Sequence, residues 1–312
     1  MSPTLQRHVD QTKGRRRRVR SGRLPGSSLA AFAIVLAMFL VFIFVLLPIC
    51  GRLIGKLKSR ALQHAKQLSQ LRSIDTALDL FNSKFDGYPP SDALDEDGKP
   101  YCGAMKLSEA MMGRDLMGFH PDSVFRSDGT SSKGKILYPE SNSGLEEAYQ
   151  DSLKARKRPN LPLGNADAYT LADLYGKDNT GSFDPNNYVI CDACRQITHT
   201  GTGEKIGMPI LYYKADISKT AHDVNNPNNP ENIYDYRDNQ ALLALGVPGK
   251  PGQKHPLYEN PKIFYEITRN DKIAGSSRPY RADTYILLSV GPDGLYGTKD
   301  DITNFDFRWK PK

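Results

Sequence analysis

Residues Ser27–Gly51 read SSLAAFAIVLAMFLVFIFVLLPICG, 25 residues without a single charge. From Leu29 to Leu47 almost every side chain is aliphatic or aromatic. Crossing a hydrocarbon layer of about 30 Å takes roughly 20 such residues at about 1.5 Å of rise each. A helix buried in a soluble core normally keeps a polar face, and this stretch has none. It predicts a membrane span, placed at residues 27–50. No small-x-small cleavage site follows, and Ile49 is too bulky for a lipoprotein signal. The segment therefore reads as a retained anchor rather than a removed leader.

The charge distribution orients that anchor. The chain of 312 residues carries a net +7. Residues 1–26 hold Arg7, Lys13, Arg15, Arg16, Arg17, Arg18, Arg20 and Arg23 against Asp10 alone. Removing those 8 basic and 1 acidic residues from totals of 42 and 35 leaves 34 of each. The excess thus sits in one tail, which reads as a cytoplasmic topology signal and not as a nucleic-acid surface. The expected location is the inner (cytoplasmic) membrane, single-pass, with the N-terminus in the cytoplasm and the C-terminal domain periplasmic.

Beyond the span, Leu57, Ala61, Ala65, Leu68, Leu71, Ile74, Leu78, Phe81 and Phe85 recur every three or four residues. That is one helical stripe, with Lys58, Arg60, Lys66 and Arg72 on other faces. Gly87 and Pro89-Pro90 end the helix. The domain boundaries expected are a basic tail (1–26), the span (27–50), the outer half of a long helix (51–86) and an extracytoplasmic domain (87–312). The stripe needs a cover, either the chain's own domain or another chain's helix.

The outer domain is rich in Gly, Pro, Asn and Asp. Strands are expected at Asn187–Cys191, Met208–Ala215, Lys262–Thr268, Thr284–Val290 and Ile302–Trp309, from their β-branched and aromatic content. Helices are expected at Lys106–Met112, Leu145–Arg156 and Ala168–Leu174. The class is α+β: a long N-terminal helix on a small antiparallel sheet, with a loop-rich insertion over 91–206.

One loop of that domain carries unusual chemistry. GPDGLYGTKDD (Gly291–Asp301) places Asp293, Asp300 and Asp301 in eleven residues with three glycines. Without a cation such carboxylates repel one another. Outside a cell, hard oxygen donors of modest affinity suffice for calcium. The spacing is not that of an EF-hand. A polar hairpin turn is the alternative, since Asp-Gly pairs form turns.

The apolar N-terminal helix, ALDLFNSKFDGYPPS (Ala77–Ser91), GMPILYYKAD (Gly207–Asp216) and YILLSVGPDGLYGTKDDI (Tyr285–Ile302) together resemble the major pseudopilin of type II secretion systems. They also resemble the wider class with type IV pilin-like N-termini. The likeness covers roughly Leu29–Pro90 and Gly207–Phe305; residues 91–206 have no counterpart in short members. It implies a pilin-like fold and a structural role in protein secretion rather than an enzyme. It also implies calcium in the closing loop, held by Asp293 and by one or other of Asp300 and Asp301, with Leu288 and Ser289 where the family uses groups just before the turn. The partners implied are other pilin-like subunits, inner-membrane secretion components and the membrane. One departure stands out. After Gly26 the family has Phe-Thr-Leu-Ile-Glu, and this chain has Ser27-Ser28-Leu29-Ala30-Ala31. A carboxylate in lipid costs about 2.5–3.5 kcal/mol, so families keep one only for a purpose. Its absence leaves a second reading: a permanently anchored binding module that does not polymerise.

Other motifs carry less. Gly129–Ile136 (GTSSKGKI) nearly matches a phosphate loop, but Ile136 replaces the hydroxyl residue. Cys191 and Cys194 form a C-x-x-C pair, read as a disulfide or structural thiols. The six histidines form no H-x-x-x-H pair. No small-molecule substrate and no catalytic constellation are expected.

Overall fold

The computed structural model describes residues 27–141, 144–273 and 277–305. It divides into two compact units at Leu57/Lys58, each described by itself. The basic tail of residues 1–26 lies outside the described residues.

In the first unit, α1 (Ser27–Val41) leads into a π-helical turn (Phe42–Leu46) and then α2 (Leu47–Phe85). Pro48 offers no amide hydrogen to the carbonyl of Phe44 four residues back, and a widened turn accommodates that missing bond. The uncharged stretch is thereby divided. Among the described residues no helix is long and apolar enough to cross a membrane.

The second unit is α+β, a mixed set of helices with small antiparallel sheets. Within it α2 buries Leu71, Ile74, Ala77, Leu78 and Phe81, while Leu68 and Phe85 are partly covered. The expected stripe is therefore buried from Leu68 onward, and Ala61 and Ala65 are exposed. Burial of side chains at about 1.5–3 kcal/mol each holds this half of the helix. The cover is the chain's own domain.

At the centre lies α3 (Gly103–Met112), every residue of which is buried. It begins so close to the sheet that a Cβ on Gly103 would stand 2.2 Å from the Tyr212 carbonyl. Asn239 caps it from far along the chain: its Oδ1 accepts from Ala104 N at 2.9 Å, and its Nδ2 donates to Tyr212 O at 2.8 Å. Glu109, buried on this helix, accepts from Tyr101 and Ser123, each at 2.6 Å. Residues 91–206 thus contribute Met105, Leu107, Met111, Leu171 and Val189 to the same core as α2.

α4 (Glu146–Ala155) and α5 (Leu163–Ala166) follow. β1 (Ala168–Thr170) pairs antiparallel with β2 (Tyr188–Ile190), and β3 (Ile197–Thr198) with β4 (Lys205–Ile206). The helix expected over Ala168–Leu174 is half right. Thr170 ends β1 and caps α6 (Leu171–Tyr175), exchanging hydrogen bonds with Asp173 in a capping box.

The main sheet has three antiparallel strands in the order β5 (Leu211–Lys214), β6 (Tyr285–Ser289), β7 (Ile302–Thr303). Leu211 pairs with Leu288, and Ser289 pairs with Ile302. All of β6 is buried. Between β5 and β6 lie α7 (Gln240–Leu243), α8 (Pro256–Glu259) and α9 (Lys262–Thr268). That last element corrects the strand expected at Lys262–Thr268. Pro261 already has helical angles and Asn260 accepts from Lys262 N at 3.1 Å, which starts a helix. Phe264, Tyr265 and Ile267 are then buried on it, so packing overrides their strand preference. The strand expected over Ile302–Trp309 is β7 at its first two residues, and residues 306–309 lie outside the described residues.

Candidate metal centre

β6 delivers the chain to the acidic loop. Leu288 and Ser289, both fully buried, are its last two residues. The chain then turns at Gly291, whose position admits no side chain. A Cβ there would meet the Asp300 carbonyl at 2.1 Å and the Asp300 carboxyl carbon at 2.6 Å. Gly294 and Gly297 both have positive φ, at 76° and 86°, conformations that glycine adopts freely.

The loop folds back on itself through its acids. Asp293 Oδ1 accepts from Leu295 N at 2.8 Å, and Asp300 Oδ2 accepts from Asp293 N at 3.2 Å. Asp301 Oδ2 accepts from Gly297 N at 2.8 Å. The Thr298 hydroxyl lies 2.6 Å from Asp300 Oδ1 and 3.4 Å from Asp301 Oδ1. Tyr296 anchors the loop apex in the core; its hydroxyl donates to the Pro209 carbonyl and its ring stands edge-on to His255.

The electrostatics are one-sided. Asp301 is only 7% exposed, and burial holds its carboxyl well above the usual carboxylate range, with the Asp293 and Asp300 charges adding to the effect. Asp293 is pushed up as well, by burial first and then by the charge of Asp300. No lysine or arginine pairs with Asp293, Asp300 or Asp301 among the described residues.

Leu288 and Ser289 stand directly before the turn, and the loop joins Asp293, Asp300 and Asp301 through hydrogen bonds. Among the described residues no three His, Cys, Asp or Glu side chains form a group able to hold a metal ion. The donor types, carboxylate, hydroxyl and turning backbone, are the hard oxygens that calcium takes. Of the three acids only Asp301 is buried, and none of them has a cationic partner among the described residues.

Two features escaped the sequence. Asp192 is fully buried behind the loop, and its Oδ2 accepts from the Ser289 hydroxyl at 3.2 Å. The segment that carries it is clasped by glutamines of α2. Gln67 Oε1 accepts from Ala193 N at 2.6 Å, Gln70 Nε2 donates to Cys191 O at 2.8 Å, and Gln63 Nε2 to Cys194 O at 3.4 Å. Positions 63, 67 and 70 share one helical face, a polar signal beside the apolar stripe. Cys191 and Cys194 are free and buried, as is Cys102, which resolves their pairing toward structural thiols. A separate cavity of about 630 Å³ includes Tyr88, Ser91, Lys214, Ile217, Asp238 and Asp283 in its lining. In it Asp238 accepts from the Ser91 hydroxyl at 2.5 Å, and burial holds its carboxyl well above the usual carboxylate range.

Family models, curated proteins and solved structures show no match to this chain.

Proposed function

We propose that the chain is a pseudopilin-like structural subunit of a type II secretion or type IV pilus-type assembly. In this reading the uncharged stretch anchors it in the inner membrane, residues 1–26 stay in the cytoplasm, and the α+β unit works in the periplasm. The observation that carries the reading is the joint placement of two sequence features. α2 lays its buried face into the core of the unit whose sheet ends, at β6, in the acidic loop. The residues Ser27–Cys50, in α1, the π turn and the start of α2, amount to 24 residues, or about 36 Å of helix. That length suffices for a hydrocarbon layer of about 30 Å.

Calcium fits the loop by donor chemistry. Asp293, Asp300 and Asp301 would hold it, with Leu288 and Ser289 at the strand end. Bound there, the ion would neutralise the crowded carboxylates and lock the C-terminal segment to β6. Partners in this reading are further pilin-like subunits and inner-membrane secretion components.

Ala31, standing where the family keeps a glutamate, favours a second reading in which the chain stays a permanent anchored binding module. Mass spectrometry of the N-terminus, on protein from native membranes, separates the two. A mature chain beginning at Ser27 with a methylated amine supports assembly, and filaments should accompany it. An intact tail from Met1 supports the fixed module.

A further inference from the structure

We propose that the cavity of about 630 Å³ beside the end of α2 binds an organic cation, an ammonium or guanidinium group carried on an aliphatic stem. Its volume falls within the range of small-molecule sites, about 300–1,000 Å³. No residue of the acidic loop lines it, so the inference stands without the calcium reading.

Three stretches build the cavity: the end of α2 with the turn after it, the end of β5 with the chain beyond, and the residues just before β6. Six aspartates line it against two lysines, Lys214 and Lys219. Three of the six already face a cation. Asp216 lies 3.4 Å from Lys219, Asp92 lies 3.9 Å from Lys106, and Asp235 lies 2.5 Å from Arg237. Asp86 and Asp283 pair with no lysine or arginine among the described residues, and Lys214 has no carboxylate partner there either. The unanswered charge of the wall is negative, which draws a positive guest into a concave site.

Asp238 carries the strongest local demand. It lines the cavity at only 8% exposure, and its Oδ2 accepts from the Ser91 hydroxyl at 2.5 Å. Its Oδ1 has no hydrogen-bond partner among the described residues, so whatever fills the cavity supplies one. Ser91 is committed as well, since its oxygen accepts from Lys214 N at 2.9 Å, and it holds the acid in place. Burial keeps the Asp238 carboxyl well above the usual carboxylate range, and a positive charge seated beside it offsets that desolvation. Pro90, Ala215, Ile217 and Ile233 supply apolar wall. Ile217 stands at the surface with 78% exposure. Such walls suit an aliphatic stem rather than a hydrated ion.

The test titrates the full chain, in non-ionic detergent micelles, by calorimetry with spermidine, with the peptide acetyl-Lys-Gly-Lys-amide and with uncharged hexane-1,6-diol. At least one of the two cations should bind, and the diol should not. Binding of spermidine alone assigns a free polyamine, and binding of the peptide alone assigns a basic segment of a partner. Asp86→Asn combined with Asp283→Asn should weaken binding about fivefold or more. Asparagine suits the left-handed backbone at position 86, where φ is 54°. Glu146→Gln with Glu147→Gln, which removes two acids of α4 outside the cavity, should leave the affinity unchanged. Failure of both cations to bind overturns the proposal. So does wild-type affinity in the folded double aspartate variant, or an equal loss in the α4 variant. If the double aspartate variant does not fold, Asn82→Lys places a competing cation on the cavity wall, and wild-type affinity there overturns the proposal equally.

Discussion

The Tyr285 hydroxyl donates to the Asp75 carboxylate over 2.8 Å, joining the first residue of β6 to the long helix 210 positions earlier. Asn304 Nδ2 reaches the same oxygen at 2.9 Å, and the Arg281 guanidinium lies 3.7 Å away. One carboxylate thus ties α2, β6 and the residue after β7. Asp75→Ala leaves a buried tyrosine and an asparagine without their acceptor, a loss of about 1–3 kcal/mol. Urea unfolding should show a lower midpoint at unchanged slope. A midpoint within error of wild type would mean water replaces the carboxylate at no cost.

The acidic loop gives a prediction whose sign depends on calcium. Asp301 is buried and its carboxyl is held above the ordinary range, so removing that charge relieves the apo protein. Asp301→Asn should melt at or above the wild-type temperature in chelator, yet gain less from added calcium. Asp293→Ala should lower the melting temperature only when calcium is present. If chelator leaves the wild-type curve unchanged, calcium is not the ligand of this loop.

Two buried histidines set a pH limit. Burial pulls His222 and His255 down to about 4 from an ordinary 6.5. Between those values the unfolded chain binds protons that the folded chain refuses. Their contribution is therefore full above about pH 6.5 and fades as pH falls toward 4, by up to about 1.4 kcal/mol per pH unit for each. Buried Asp192, pushed up to about 7, acts in the opposite sense: its contribution is present at low pH and fades as pH rises toward 7. The informative quantity is thus the difference between wild type and a His222→Gln/His255→Gln variant, measured at pH 7 and pH 5. That difference should shrink, as the wild type loses more.

The thiols supply a fourth check. Cys102, Cys191 and Cys194 are fully buried, and burial pushes Cys102 up to about 11. Maleimide should leave all three unmodified in the folded protein at neutral pH and label them on denaturation. Labelling of Cys191 or Cys194 without denaturant would show that the α2 clasp opens.

Local pattern carried the fold where one physical term dominated. The stripe from Leu68 to Phe85 and the apolar run of β6 were both legible, because burial alone decides them. Lys262–Thr268 was not, since its strand-forming residues are turned into α9 by the start at Asn260-Pro261 and by a core that accepts Phe264, Tyr265 and Ile267 from one helix. The acidic loop was readable as a cluster of carboxylates and glycines, being contiguous. Asp192 and Asp75 were not, because each gains its meaning from a residue 97 or 210 positions away in sequence. Ala61 and Ala65 continue the period of the stripe, but nothing local says where the covering domain stops.

The outermost strand, β7, offers only two residues to its neighbour. On the far side of the sheet, Asn239 occupies the Tyr212 carbonyl, and the Ser91 hydroxyl accepts the Lys214 amide at 2.9 Å. Among the described residues, a visiting strand would find little free backbone on either flank of this sheet. What α2 itself turns outward includes Leu62 and Leu80, at 65% and 46% exposure, a surface that meets a neighbour through side chains rather than through backbone pairing.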